Sequence, residues 1–363
     1  MGKIKGRIAA AKVKQGMPPE HGAPAVLILL CVLGFGSLLV GCTPENRWGS
    51  NAPNSTSAQA TRSATAGLAE EASNAKPPPE IAETVAAGID ESSIRTHLSH
   101  LTGATPAPLE GGAVTIAERG SVEGRRAAAE YMEESFEKMD IPARIIEFQW
   151  ANVSGFNVEA TLKGNGGDKH LWVTAHLDSV GVPGANDDAS GLVSILLTAK
   201  ALKQLHPKHT VHFVAYDLEE VGLIGSSRYV ESVVGAIRER EGERAIIGDL
   251  HSDMIGYEPD IFDAVLGTCD QAGTIDDALH LASKEIGSPI YLSDICLGRS
   301  DHIRFWEAGL PAAVLVEGVG YNGYPWYHQP DDTVDKLNIA YLRSMIQLNA
   351  ATTALLITPE NRS

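Results

Sequence analysis

The sequence predicts an α/β fold, a mostly parallel mixed sheet with helices on both faces. From residue 90 onward, short apolar runs of strand length alternate with longer segments whose apolar residues recur at helical spacing. This alternation is typical of parallel strands joined by helical crossovers. Clusters of histidine and carboxylate residues follow several of the strands. They fit the same fold class, because open α/β sheets bind ligands beyond the carboxyl ends of their strands.

Helices and strands can be assigned in order along the chain. Ile94, Leu98 and Leu101 have the spacing of one helix face over residues 90–102, and Ser121 is suited to cap a helix over 122–139. Further helices are predicted over residues 190–205, 223–234, 273–286, 301–308 and 336–357. Strands are predicted over residues 144–150, 157–163, 171–176, 211–216, 245–250 and 312–316.

Composition and charge exclude several classes of protein. The chain has 363 residues, of which 44% are hydrophobic, so it is neither wholly disordered nor fibrous. It carries 29 Lys and Arg against 46 Asp and Glu, a formal net charge of −17. We expect no nucleic-acid partner, because phosphate binding needs a basic surface. A single long apolar run also excludes a polytopic membrane protein.

The N-terminus has the pattern of an export signal. A basic segment over residues 1–16 precedes an apolar run from Ala25 to Val40, which is short for a membrane span of about 20 residues. The run ends in Leu39-Val40-Gly41-Cys42, which resembles the bacterial lipobox, in which the cysteine is lipidated. The alternative is a signal anchor in which Cys42 occurs by chance. We expect an exported bacterial lipoprotein anchored through Cys42 in the outer membrane or on the cell-surface or periplasmic side, and Thr43 after it favours the outer membrane in a host with two membranes.

The chain therefore divides into three predicted segments. Residues 1–41 form the lipoprotein signal peptide, and residues 42–82 form a disordered tether rich in Ser, Ala and Pro. Residues 83–363 form one folded α/β domain. Disulfides persist in an exported chain, and Cys269 and Cys296 could pair, but their spacing alone does not decide this.

Five clusters of metal-ligating residue types lie at strand ends or in loops that can reach the same edge. They centre on His176, on Asp187 and Asp188, on Glu219 and Glu220, on Asp253, and on His328. Each alone has an ordinary explanation, such as a helix cap or a solvated face. All five at one edge of the sheet are hard to explain in that way.

The residue types suit two zinc ions. Zinc accepts imidazole nitrogen and carboxylate oxygen, and two ions a few ångströms apart need a group that touches both. Two histidines and three carboxylates supply this set if one carboxylate is shared: His176, Asp187, Glu220, Asp253 and His328. Glu219 remains beside a ligand, in the position of a general base.

These clusters closely resemble the co-catalytic zinc aminopeptidase family, which includes bacterial leucyl aminopeptidases and has the glutaminyl cyclases as close relatives. The similarity runs from about Gly120 to the end of the chain. It rests on residues 176–179, 184–191, 217–226, 300–302 and 328–333, with Phe305, Gly309 and Pro311. It implies a zinc exopeptidase of the phosphorylase/hydrolase-like fold.

The resemblance implies a role for each residue. His176 and Asp253 would hold one zinc ion, Glu220 and His328 the other, and Asp187 would bridge them. Glu219 would act as the general base. The Asp178 carboxylate would orient the His176 ring, and Asp188 would follow Asp187 through a cis peptide bond.

Peptide hydrolysis is the reaction that this site implies, and removal of N-terminal residues from peptides is the favoured form. A glutaminyl cyclase typically uses one zinc ion, and a carboxypeptidase would need a cation such as Arg299 or Arg304 for the substrate carboxylate. A non-catalytic binding lipoprotein would lack ligands, and this sequence lacks none. Leu297 supplies no phenol, so the group that stabilises the oxyanion is unassigned. The oligomeric state also stays open.

Overall fold

We describe the chain from a computed structural model, which covers residues 78–258 and 262–358. The signal peptide, Cys42 and most of the tether lie outside these residues. Within the described ranges, no helix has the length and apolar composition needed to cross a membrane.

The described chain contains ten strands and ten α-helices. The strands are β1 (Ala107–Leu109), β2 (Gly112–Val114), β3 (Ala143–Trp150), β4 (Val153–Leu162), β5 (His170–His176), β6 (Thr210–Tyr216), β7 (Ile246–Ser252), β8 (Asp263–Gly267), β9 (Tyr291–Ile295) and β10 (Ala312–Glu317). The helices are α1 (Pro78–Ala87), α2 (Glu91–Leu101), α3 (Val122–Glu137), α4 (Ala189–Leu202), α5 (Ile224–Tyr229), α6 (Gly235–Glu241), α7 (Thr274–Glu285), α8 (Ile303–Glu307), α9 (Gly320–Gly323) and α10 (Ile339–Ile357).

Eight strands form one mixed sheet in the order β3-β4-β6-β5-β7-β10-β8-β9. The four central strands β6, β5, β7 and β10 are parallel to one another. Antiparallel pairs flank them, β3 with β4 and β4 with β6 on one side and β10 with β8 on the other. The carboxyl ends of four adjacent strands therefore meet at one edge, which confirms the predicted fold class.

Both faces of the sheet are covered, as the alternation of buried side chains shows. In β5, Leu171 and Val173 belong to the larger apolar core, whereas Trp172 belongs to a second core on the opposite face. Successive strand residues point to opposite faces, so a strand that is apolar throughout needs cover on both. Helix α4 is buried along most of its surface and packs against β5 and α10.

The structure corrects several boundaries. Helix α1 begins within the segment that we assigned to the tether, because Ala82 and Val85 are buried and α1 packs against α10. The helix predicted over 223–234 is divided into α5, a π-helical turn over Val230–Val234, and α6.

The sequence also gave no sign of the hairpin β1–β2 or of β8 and β9. Strand β9 (YLSDI) lies at the sheet edge and is largely exposed, and its apolar residues do not alternate as in a half-buried strand. A disulfide between Cys269 and Cys296 joins the segments that follow β8 and β9, which answers the pairing question that the spacing left open.

A buried ion pair fixes the start of the turn after β6. The Arg125 guanidinium lies 3.0 Å from Asp217 Oδ1, and Asp217 also accepts hydrogen bonds from the backbone amides of Phe156 and Leu218. Burial and the neighbouring Asp178 raise the pKa of Asp217 to about 7. Removal of Arg125 would therefore leave a buried carboxylate without its counter-charge.

We expect Arg125→Met to lower the free energy of unfolding by about 3–5 kcal/mol at pH 8, where Asp217 is ionised. Arg126→Met is the matched control, because Arg126 is 43% exposed and pairs with the exposed Glu147. Its loss should cost less than about 1 kcal/mol. Urea unfolding of both variants measures the difference, and equal losses would contradict the importance of the buried pair.

Candidate metal centre

The four parallel strands bring the predicted site residues to one edge of the sheet. His176 is the last residue of β5, and Asp253 directly follows β7. Glu219 and Glu220 lie in the turn after β6, and His328 follows β10 through α9. The loop between β5 and α4 adds Asp187. All of these residues come together as the sequence predicts.

His176 lies beside two carboxylates. Its Nε2 atom is 3.0 Å from Asp187 Oδ1 and 3.6 Å from Asp253 Oδ1. All three side chains are buried, and their ligand atoms lie within 4.8 Å of one another. This geometry suits a single divalent ion held by one imidazole and two carboxylates.

His328 forms a second group of the same composition. Its Nε2 atom is 3.1 Å from Asp187 Oδ2 and 3.0 Å from Glu220 Oε2. Asp187 therefore contributes one oxygen to each group, which is the geometry of a bridging carboxylate. The division of the other four residues between the two groups is the one that the resemblance implies.

The polar atoms of the second group are poorly satisfied by the protein itself. His328 Nε2 approaches both carboxylates closely but lacks hydrogen-bond geometry to either, and the buried Glu220 Oε1 has no hydrogen-bond partner. Buried polar atoms normally have partners. Imidazole nitrogens and carboxylate oxygens in this arrangement fit divalent metal ions of the zinc type.

Crowding of carboxylates makes the site attractive to cations. Burial, followed by the Asp187 carboxylate, raises the pKa of Glu220 to about 7. The adjacent Asp187 and Glu220 carboxylates raise the pKa of His328 to about 10. Bound metal ions would compete with these protons, since they supply positive charge at the same place.

Glu219 belongs to neither of the two groups that share Asp187, but one of its carboxylate oxygens lies within 4.8 Å of ligand atoms of His176 and Glu220. Its side chain lines the same small cavity as His176, Asp187 and Asp253. Burial, together with the Asp301 and Asp253 carboxylates, raises the pKa of Glu219 well above its usual value. A carboxylate with a raised pKa beside a metal site is suited to accept and return a proton.

The structure corrects the role of the Asp178 carboxylate. The backbone carbonyl of Asp178, not its carboxylate, accepts the hydrogen bond from His176 Nδ1, at 3.1 Å. The nearest carboxylate oxygen is 3.7 Å from Nδ1, too far for a hydrogen bond. The carboxylate instead accepts the backbone N–H groups of Glu219 and Glu220, at 2.9 and 3.2 Å. Asp178 therefore positions the turn that carries Glu219 and Glu220.

Asp188 holds three parts of the site together. Its carboxylate caps α4 by accepting the N–H of Gly191, and it also accepts the N–H groups of His176 and Met254. The peptide bond between Asp187 and Asp188 is cis, as the resemblance implies. Its hydrogen bonds turn the Asp188 side chain towards the protein, whereas the Asp187 carboxylate faces His176 and His328.

Two buried acids that the sequence did not single out as site supports hold the loop before Asp187. Asp332 accepts the N–H groups of Asn186 and Asp187, at 2.8 and 3.2 Å. Glu317 accepts both contacts from the Asn186 side-chain amide, at 2.9 and 3.0 Å. Glu317 is a charged residue at the end of an otherwise apolar strand, a pattern that could have indicated a role at the site. The predicted strand ended one residue earlier, at Val316.

Aromatic side chains form part of the cavity wall. Tyr321 and Tyr327 line it together with Arg299, whereas Tyr324 donates a hydrogen bond to Asp332 and Trp326 packs against Tyr257. The Tyr321 hydroxyl is buried and has no hydrogen-bond partner.

Comparison with known proteins agrees with this site. Residues 157–353 match the model of peptidase family M28. Aminopeptidase YwaD of Bacillus subtilis is 34% identical over 173 residues, which cover 46% of this chain and 37% of that protein. The chain spans about half or less of the length of the curated relatives that it matches.

Solved structures share the fold. A zinc aminopeptidase from Bacillus subtilis matches with a TM-score of 0.65 and 18% identity, over 76% of this chain and 97% of that one. A glutaminyl cyclase from Bacteroides thetaiotaomicron, solved with N-acetylhistamine, matches with a TM-score of 0.60 and 16% identity, over 75% and 99%. The family match covers more than half of the chain and contains all five predicted metal ligands, and the chain therefore belongs to peptidase family M28.

Proposed function

We propose that this protein is a zinc aminopeptidase that binds two zinc ions and removes N-terminal residues from peptides. The sharing of Asp187 between two groups of ligands carries the proposal, because a site for one ion does not need a bridging carboxylate. The relatives named as aminopeptidases support the choice of reaction.

Different residues of the chain have different roles in hydrolysis. When bound, the two ions would polarise the scissile carbonyl and make the attacking water more acidic. Glu219 accepts the proton of that water and later gives it to the leaving amine. Asp178 keeps Glu219 in place through the backbone of the turn. The carboxylates around the site favour a substrate with a free, positively charged α-amine.

The rival functions in this family fit less well. A one-ion cyclase would need only one of the two ligand groups that share Asp187, and would leave the other group without an ion. A carboxypeptidase needs a free cation for the substrate carboxylate. Arg304 is already engaged by Glu307 and the carbonyl of Gly222, so Arg299 is the cation that a carboxypeptidase could use, and the relatives named as aminopeptidases favour the other reaction.

Adjacent glutamates allow a test with a built-in control. Glu219→Gln removes the base but keeps the ligands, so kcat on a chromogenic aminoacyl substrate should fall by roughly two to four orders of magnitude at unchanged zinc content. Glu220→Gln removes a ligand, so zinc content and activity should fall together and added zinc should restore part of the activity.

The same assay tests the reaction itself. The zinc-loaded wild type should cleave the substrate with a free α-amine, should leave its N-acetylated form intact, and should lose activity to a chelator. Cleavage of the blocked form alone would contradict an aminopeptidase. If Glu219→Gln loses zinc and Glu220→Gln keeps it, the two roles are the reverse of those proposed.

We further propose that Cys42 carries a lipid that anchors the mature protein to the outer membrane, with residues 43–77 as a tether. The support is the Leu39–Cys42 pattern after a short apolar run. Metabolic labelling with a fatty-acid analogue should mark the wild type and not Cys42→Ser, which should be soluble or unprocessed. Equal labelling of both would contradict the anchor.

A further inference from the structure

Arg299 is an unusual member of the cavity wall. The described residues that line the metal cavity are acids, a histidine, aromatic residues and a methionine, and among them Arg299 is the single Lys or Arg side chain. It comes from the segment between β9 and α8, far along the chain from most of the ligands. The cavity therefore has an acidic floor and one cation in its wall.

The guanidinium of Arg299 is free to bind something else. Within the described ranges it forms no ion pair and donates no hydrogen bond, and its one recorded contact is the ring of Tyr321, 5.5 Å from the ring centroid. The side chain is exposed. None of the carboxylates that line the cavity pairs with it, and those of Asp187 and Glu220 lie against His176 and His328.

The backbone that carries Arg299 is firmly held. The next residue, Ser300, is fully buried and bonds to His251 Nε2 at 2.8 Å. Asp301 follows, buried against the hydroxyl of Ser226. A fixed backbone and a ring to stack on limit the positions of the guanidinium, so less entropy is lost when it binds a partner.

The charge of Arg299 decides which part of a substrate it can meet. An α-ammonium group is repelled by a guanidinium. We therefore expect the amine of a substrate to lie away from Arg299, with the leaving-group side of the scissile bond nearer to it. A planar guanidinium with free donors matches a carboxylate, which it can bind through two parallel hydrogen bonds.

We propose that Arg299 binds a substrate carboxylate on the leaving-group side of the scissile bond, so that the enzyme prefers peptides with a carboxylate one residue beyond the cleaved bond. This inference rests on the proposed aminopeptidase function and names its substrate class. Two sources supply the group, namely the C-terminal carboxylate of a dipeptide and an acidic side chain in the second residue. One further residue adds about 3.5 Å, which carries the terminal carboxylate of a longer peptide past Arg299.

Four small substrates separate these sources. Leu-Gly against Leu-Gly-amide tests the terminal carboxylate, and Leu-Asp-amide against Leu-Asn-amide tests the acidic side chain. The zinc-loaded wild type should show a kcat/KM roughly ten- to a hundredfold higher for the carboxylate member of at least one pair, the usual worth of a charged hydrogen bond. The pair that responds identifies the source.

Variants of Arg299 test whether it causes the preference. Arg299→Met should reduce the carboxylate-to-amide ratio to near one, mainly through KM, and should change the amide substrates less than about threefold. Arg299→Lys keeps the charge without the planar fork and should retain part of the ratio. Arg244→Met is the matched control, because Arg244 is exposed and precedes β7, at the sheet edge opposite the site.

A binding measurement gives a readout that does not depend on turnover. Calorimetry with the Glu219→Gln protein should show Leu-Gly binding more tightly than Leu-Gly-amide, or Leu-Asp-amide more tightly than Leu-Asn-amide, and Arg299→Met in that background should remove the difference.

Two outcomes would overturn the inference. One is an equal fall in kcat/KM for both members of a pair in Arg299→Met, and the other is a wild type with equal kcat/KM for the carboxylate and the amide member of both pairs. In either case, hydrolysis of the neutral amides would leave the proposed function intact. Failure to hydrolyse any of the four would overturn both.

Discussion

The Asp187 carboxylate lies between two imidazoles, with Oδ1 3.0 Å from His176 Nε2 and Oδ2 3.1 Å from His328 Nε2. This shared contact joins the end of β5 to the loop after β10, which are far apart in sequence. Because one carboxylate serves both groups, the site works only if the loop before α4 is held accurately. Buried carboxylates hold this loop through hydrogen bonds. Asp332 and Glu317 bind the segment before Asp187, and Asp188 caps α4.

The fold places the remaining ligands with little further adjustment. Parallel strands β6, β5, β7 and β10 end at one edge, so Glu220, His176 and Asp253 need only follow their strands. The backbone has positive φ angles at Leu218, Met254 and His328. The chain therefore turns sharply at the site residues or directly beside them. Such conformations cost free energy at non-glycine residues and are often found at functional sites.

The sequence alone located a site residue where a metal-ligating residue type closes or directly follows an apolar strand. His176 closes a visibly apolar strand and Asp253 follows another, so the predicted ligands and the sheet edge emerged together. Asp178 shows the limit of this reasoning: its place near His176 was clear, but its hydrogen bonds to the Glu219–Glu220 turn depend on how β5 and β6 pair. Strand β9 was missed because it is a short, exposed edge strand, and helix α1 because it begins in the Pro-rich end of the segment that we assigned to the tether. The family resemblance is confirmed by the match to peptidase family M28.

The zinc content of the metal-replete protein tests the bridging role of Asp187 most directly. Elemental analysis after removal of free metal should give two zinc ions per chain for the wild type. Asp187→Asn should lose both ions, because each group of ligands then keeps only one of its two carboxylates. One zinc ion per chain in a fully active wild type, or two ions retained in Asp187→Asn, would contradict a two-zinc centre built on this carboxylate.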